Sequence, residues 1–222
     1  EAAFGAGSGH PAATFRLQVA DRGAAETNLL YGLVREVAQL GATRATASQL
    51  LALAAHPFVA RRFGFSADDG ERLAELVEHA AIRWGLGEAH RASYGLPLVR
   101  QGTWQVGVQR LLLGEALSED TLAAAGVIAP VDDVESSDAP LLGGLAELVS
   151  RVSRLARRPE RAPAAGWLDH LQAIVDLLTD VPFEASGQLA QWWSAIDELR
   201  RRAGDSPALL GQADALALLD AE

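Results

Sequence analysis

The hydrophobic positions of the chain repeat with a helical period over most of its length. From about residue 27 onward, apolar side chains recur three or four positions apart, as they do on one face of an α-helix. The first such group predicts a helix whose buried face holds Leu29, Leu30, Leu33, Val34 and Val37. The pattern as a whole predicts a mainly α-helical domain of about eight to ten helices.

Polar residues mark several predicted helix starts in the first half of the chain. Thr46 with Gln49, and Ser66 with Asp69, have the spacing of a capping box, in which each side chain bonds to the other residue's backbone N–H. The second box precedes a predicted buried stripe at Leu73, Leu76, Val77 and Ala80. Thr103 is predicted to cap a helix whose apolar side carries Trp104, Val108, Leu111 and Leu112.

A segment rich in glycine, proline and acidic residues, roughly 118–137, divides the chain and marks where the domain would subdivide. Beyond it, Pro140 lies in the first turn of a predicted long helix, a position where the N–H that proline lacks has no helical partner. Two further helices are predicted around Trp167 and Trp192, and a last one is expected to begin near Pro207.

Residues 1–23 follow a different pattern. Phe15, Leu17 and Val19 alternate with polar residues, which predicts one short strand near the N-terminus. A single strand cannot satisfy its own backbone hydrogen bonds, so we expect its neighbours to lie outside this sequence. The glycine-rich loop at 5–9 precedes the strand instead of following one, which argues against a phosphate-binding loop.

The amino-acid composition excludes several kinds of chemistry. The sequence has no cysteine, so disulfides, thiolate zinc sites and cysteine nucleophiles are absent. All 19 basic residues are arginine, so there is no lysine for a P-loop ATPase site or a Schiff base. No apolar run approaches the roughly 18 residues that suggest a membrane span. We therefore expect a cytoplasmic protein that makes no membrane contact and binds no cofactor.

The net charge of −10 is opposite in sign to that of a typical nucleic-acid-binding domain, although it does not exclude a local basic patch. Arginines lie near aromatic residues in the first half of the chain, and single strands are held by cations on phosphates and aromatic rings on bases. The candidate DNA-contacting residues are Arg61, Arg62, Arg83, Trp84, Arg91 and Arg110. The alternative is structural, with Trp84 filling the core and Trp104 on the apolar stripe of its helix.

Two other candidate sites are less favoured. Asp132, Asp133 and Asp138 have the chemistry to hold Mg²⁺, but they lie in a loop before a helix start, where a solvated loop and a cap explain them better. An Mg²⁺-dependent enzyme using these three residues is the last-ranked hypothesis. The five histidines show no metal-ligand spacing, and no catalytic triad is identifiable.

One ordered series of short motifs is more specific than these features. It comprises Val19-Ala-Asp-Arg22, Phe58-Val-Ala-Arg61-Arg62-Phe63-Gly64, Asp68-Asp69, Arg72-Leu73, Ile82-Arg-Trp-Gly-Leu86, His90-Arg91, Gly95-Leu-Pro97, Thr103-Trp104 and Gln109-Arg-Leu-Leu-Leu-Gly114. In this order the motifs closely resemble RecC, the family of gamma chains of exodeoxyribonuclease V, and indicate an actinobacterial member. The resemblance covers most of the chain, and 58–114 is its diagnostic part. The absence of methionine agrees with an internal fragment of a longer protein.

The resemblance has specific implications. RecC proteins are built like a superfamily 1 helicase that has lost its ATPase site. With the RecB and RecD subunits they form an ATP-dependent helicase–nuclease that acts on DNA double-strand ends in repair and recombination. Residues 1–23 would then be a remnant of the motor-like 2A domain, and 24–222 the helical 2B-like insertion. This segment would be non-catalytic, with RecB, RecD and single-stranded or forked DNA as partners.

A second hypothesis belongs to another class of protein. A helical bundle with five tryptophans could enclose an apolar pocket, as a free-standing ligand-binding or regulatory protein would. A gene that starts within a few residues of Glu1 would support this hypothesis, whereas a gene encoding a chain of about a thousand residues would exclude it.

Overall fold

In a computed structural model of the chain, the parts that the structure describes are residues 28–116, 131, 134–157, 160–204 and 206–220. Ten α-helices and one two-stranded sheet form within these ranges, which confirms the prediction of a mainly α-helical domain. The predicted N-terminal strand and most of the dividing loop lie outside the described residues, as do Asp132 and Asp133.

The helices of the described ranges are numbered in chain order. They are α1 Leu29–Leu40, α2 Ala47–Ala54, α3 Pro57–Phe63, α4 Asp69–His79, α5 Glu88–Ala92, α6 Trp104–Ala116, α7 Ala139–Leu155, α8 Ala164–Leu178, α9 Ser186–Ala203 and α10 Gln212–Asp220. Strand β1 (Arg161–Pro163) pairs antiparallel with β2 (Leu209–Gly211).

Helix α8 lies at the centre of the second half and packs against α1, α7, α9 and α10. Its apolar residues repeat with the helical period and are buried: Trp167, Leu168, Leu171, Ile174, Val175 and Leu178. Each fully buried side chain of this size contributes about 1.5–3 kcal/mol relative to exposure. Helix α6 packs on α7, and the buried side chains of both halves of the chain form one continuous hydrophobic cluster.

The predicted helix caps are largely present. The amide of Gln49 donates to Thr46 Oγ1 at 3.3 Å and the amide of Thr46 donates to Gln49 Oε1 at 2.9 Å, so the first capping box is complete. The second box is only half formed. The amide of Ser66 donates to the Asp69 carboxylate at 2.6 Å, but α4 begins at Asp69 itself. Thr103 Oγ1 accepts from the amide of Val106, which confirms the cap of α6.

Two leucines predicted to be buried are exposed, and the last helix begins later than predicted. Leu29 and Leu112 are 46% and 38% exposed. Each is adjacent in sequence to a buried leucine, and one residue is a rotation of about 100° around a helix. Helix α10 begins at Gln212 because residues 209–211 extend to pair with β1.

Helix α7 approaches the end of α3 at a position without a side chain. A Cβ atom on Gly144 would lie 2.5 Å from the carbonyl oxygen of Phe63, whereas one on the adjacent Gly143 would meet nothing within 4 Å. The close approach therefore depends on Gly144. Within the described ranges, no helix combines the length and apolar character that a membrane span requires.

Candidate nucleic-acid interface

Four of the six candidate residues lie around two turns that are held together by backbone hydrogen bonds. The amides of Arg83 and Trp84 both donate to the carbonyl oxygen of Gly102, at 2.9 and 3.3 Å. Gly102 has φ +69°, and a Cβ atom there would lie 3.2 Å from the carbonyl oxygen of Ala81. The turn after α4 and the turn before α6 are therefore in close contact.

Arg91 is buried and donates hydrogen bonds to the backbone of both turns. Its side chain is buried, and Nη1 donates to the carbonyl oxygens of Gln101 at 2.6 Å and Val99 at 3.3 Å. Nη2 donates to the carbonyl oxygen of Trp84 at 2.9 Å. Burial lowers the pKa of the guanidinium, and no carboxylate in the described ranges pairs with it. Arg91 therefore organises the backbone around Trp84.

Trp84 is half-buried and surrounded by cations. The Cζ atoms of Arg91 and Arg44 lie 4.5 and 5.5 Å from the centroid of its ring, within cation–π range. The ring of Tyr94 makes an edge contact with Trp84 at 5.5 Å. Sequence reasoning missed Arg44 and Tyr94 because they join Trp84 only through the tertiary fold. Trp104 is wholly buried on the core face of α6, as predicted.

The other arginines of this region lie at the surface. Arg83 is exposed and pairs with no carboxylate among the residues that the structure describes. Arg110 is half-buried and Nη1 donates to the carbonyl oxygen of Ala80 at 2.8 Å, so it bridges α6 to the end of α4. Arg100 lies 3.6 Å from Glu88, a loose and exposed ion pair. We name Arg44, Arg83, Trp84, Arg91 and Arg110 the arginine–tryptophan cluster.

Arg61 and Arg62 lie elsewhere, in the last turn of α3. Arg61 Nε lies 2.8 Å from Asp180, just beyond the end of α8, in an ion pair exposed on both sides. Arg62 is exposed and has no carboxylate partner within the described ranges. Among the residues that the structure describes, no hydrogen bond, ion pair or cation–π contact joins either side chain to the arginine–tryptophan cluster, so Arg61 and Arg62 form a separate cationic position.

The carboxylate of Asp138 is occupied by hydrogen bonds within the protein, unlike that of an open metal ligand. It is buried, and its two carboxylate oxygens accept from Arg72 Nε at 3.0 Å and Nη2 at 2.7 Å. The amide of Glu135 donates to the same carboxylate at 2.9 Å. The hydrogen bonds from Arg72 are the main cause of a lowered Asp138 pKa. Among the described residues, no group of three or more His, Asp and Glu side chains is placed to hold a metal ion.

Fold and site together define a helical domain that carries a cluster of exposed and buried arginine side chains around the half-buried Trp84. Over residues 27–222 the sequence matches the family described as RecBCD enzyme subunit RecC fourth domain. The chain therefore belongs to the RecC family.

Known relatives agree with this assignment. The chain is 41% identical to the RecBCD enzyme subunit RecC of Mycobacterium tuberculosis (strain H37Rv), over 98% of its own length and 20% of that protein's. It is 37% identical to the RecC of Mycolicibacterium smegmatis over 96% of the chain and 19% of the relative. It is 30% identical to the RecC of Escherichia coli (strain K12) over 90% of the chain and 18% of the relative. The chain thus spans about a fifth of the length of these relatives, and the actinobacterial assignment is confirmed.

Proposed function

We propose that this chain is a non-catalytic segment of the RecC subunit of an ATP-dependent DNA helicase–nuclease, exodeoxyribonuclease V. In this proposal it works in the cytoplasm as a scaffold and DNA-handling element, together with RecB and RecD, in double-strand break repair and recombination. The observation that carries the proposal is the match to the fourth domain of RecC across residues 27–222.

The amino acids available to the chain support a non-catalytic role. Without any lysine, it lacks the residue that a P-loop places on nucleotide phosphates. The carboxylate of Asp138 is already bound by Arg72 and by a backbone amide. The mainly helical architecture also agrees with our proposal that the domain occupies the 2B-like position of a superfamily 1 helicase fold.

The residues proposed to contact DNA have different roles in this structure. Arg83 is exposed and has no carboxylate partner within the described ranges, so it is the best placed to meet a phosphate. Arg91 is buried, and we propose that it positions Trp84 instead of touching DNA. Arg62 would contribute a second, separate phosphate contact, and Arg61 one that competes with Asp180.

Fluorescence anisotropy with labelled single-stranded and forked DNA tests this proposal. We expect binding that weakens steeply with salt, because each neutralised phosphate releases counterions. Arg44 is also exposed, beside Trp84, and we propose it as a second phosphate contact of the cluster. The double variant Arg44→Ala/Arg83→Ala should therefore weaken binding and lower the salt slope by about two. Arg201→Ala/Arg202→Ala is the matched control, because it also removes two exposed arginines, and they lie on α9, away from the arginine–tryptophan cluster.

Two outcomes would contradict the proposed DNA contact. One is no binding to either DNA even at low salt, which would leave partner contact as the role of the segment. The other is equal weakening by the double variant and by Arg201→Ala/Arg202→Ala, which would show that the cluster is not a local binding site.

A further inference from the structure

A cleft lies between the end of α4 and one side of α6, next to the arginine–tryptophan cluster. Its cavity volume is about 830 Å³, within the range of about 300–1,000 Å³ that holds bound ligands. The apolar lining comes from the turn after α4 and from α6, and includes Ala81, Val106, Leu112 and Leu113. We name this cavity the α4–α6 cleft.

The charged residues that line the cleft are all cationic. Arg100 and Arg110 line it directly, and no carboxylate belongs to the lining, although Glu88 lies 3.6 Å from Arg100 in an exposed ion pair. The stem of Arg83 lies against the lining residue Gly102, with Cγ 3.7 Å from the position of a Cβ atom there. The arginines make this surface locally positive, although the chain as a whole has a net charge of −10. Such a surface favours a negatively charged occupant over an uncharged or cationic one.

The apolar part of the lining is aliphatic, which favours a peptide over a single-stranded nucleic acid. Bases are held by stacking on aromatic rings, and none of the lining residues is aromatic. The nearest tryptophan, Trp84, already contacts the guanidinium groups of Arg44 and Arg91. Leu112 is 38% exposed on α6, where it offers an aliphatic contact to an incoming side chain.

We propose that the α4–α6 cleft docks an acidic, amphipathic segment of another protein. Aliphatic or aromatic side chains of that segment enter the cleft between Val106 and Leu112, and its carboxylates lie against Arg100 and Arg83. This is the arrangement by which an amphipathic helix binds an apolar groove, with charges at the rim setting specificity. Arg83 is shared with the proposed DNA contact, but the two residues that the test substitutes, Leu112 and Arg100, are not among the proposed DNA contacts, so failure of one proposal can be told from failure of the other.

The test uses a labelled peptide of about 15 residues with leucines at helical spacing and glutamates between them. Its binding to the full 222-residue chain is followed by fluorescence anisotropy. We expect saturable binding that Leu112→Glu and Arg100→Glu each weaken at least about tenfold. Leu29→Glu and Arg201→Glu are the controls, since both residues are exposed outside the cleft, and they should bind like the unaltered chain. Circular dichroism verifies that each variant is folded.

Three results would overturn the proposal. The first is equal binding of a peptide in which lysines replace the glutamates. The second is binding of single-stranded DNA instead of the peptide, if Leu112→Glu abolishes that binding, because the cleft would then be a nucleic-acid site. The third is peptide binding only after residues 118–129 are replaced by a Gly-Ser linker, which would mean that this chain fills its own cleft.

Discussion

Arg91 illustrates, at the scale of single residues, why a charged side chain is found inside this protein. Its guanidinium donates to three backbone carbonyl oxygens and lies over the ring of Trp84. These contacts replace part of the hydration that a buried cation loses. The sequence identified Arg91 as part of an arginine-rich region, but could not distinguish a buried clamp from an exposed phosphate contact. That distinction depends on the turn at 99–102, which lies about ten residues away along the chain.

Substitution of Arg91 by lysine tests the clamp. Lysine keeps the charge, but its single ammonium group cannot reproduce the fork that reaches Trp84, Val99 and Gln101. We expect the free energy of unfolding to fall by about 1.5–3 kcal/mol. Amide hydrogen exchange should also rise in residues 94–102, as measured by mass spectrometry. Arg83→Lys is the control. If hydrogen exchange in residues 94–102 is the same in Arg91→Lys as in the unaltered chain, the proposed role of Arg91 is contradicted.

The ion pair of Asp138 with Arg72 predicts a specific dependence of stability on pH. The folded-state pKa of Asp138 lies below its ordinary value of 3.8. Its stabilising contribution is therefore complete above that value and is lost as pH falls through the folded-state pKa. Asp138→Asn should cost about 1–3 kcal/mol at neutral pH, because Arg72 then loses a charged hydrogen-bond acceptor.

Urea unfolding of Asp138→Asn and of the unaltered chain, from about pH 7 to pH 3, measures this contribution. The difference in unfolding free energy should shrink as pH falls below 3.8. Asp197→Asn is a suitable control, because Asp197 is exposed on α9. A difference that stays constant down to the lowest pH would show that Asp138 stabilises the fold without its charge.

At the scale of elements, sequence reasoning succeeded where the determinants are local. The box of Thr46 and Gln49 and the cap of Thr103 were predicted because their partners lie three residues away. The β1–β2 pair was missed because each strand has only three residues and its partner lies almost fifty positions distant. Leu29 and Leu112 were assigned to the core because a periodic pattern does not resolve which of two adjacent leucines points inward.

The two neighbouring glycines of α7 offer a matched pair of substitutions. Gly143→Ala should stabilise the protein by up to about 1 kcal/mol, because alanine favours helix and the new methyl group meets nothing within 4 Å. Gly144→Ala should destabilise it by about 1–3 kcal/mol, because the methyl group would collide with the carbonyl oxygen of Phe63. Thermal and urea unfolding measure both, and equal effects at the two positions would contradict the close approach of α7 and α3.

In the molecule as a whole, the described helices other than α5 share one hydrophobic cluster, and the arginine–tryptophan cluster lies on the part built from 80–110, with Arg44 added from the turn after α1. Four of the six DNA-contact candidates predicted from the sequence lie in this region, and the other two lie on α3. The sequence could not show which of them contact one another, because Arg44 joins Trp84 from forty residues away. The fold class could be predicted from the hydrophobic periodicity. The α4–α6 cleft could not, because it depends on how α6 lies against the end of α4, and no local sequence pattern indicates that arrangement.

We propose that this segment handles DNA and takes no part in the chemistry of the complex. The most direct test of this proposal places Arg44→Glu and Arg83→Glu in a RecC subunit that contains this segment, assembled with RecB and RecD. ATP hydrolysis is then measured against the concentration of DNA ends. If the segment handles DNA, the variant needs more DNA for half-maximal ATP hydrolysis, while the rate at saturating DNA and the assembly of the three subunits stay unchanged. A loss of the saturated rate, with the DNA requirement unaltered, would contradict the proposal.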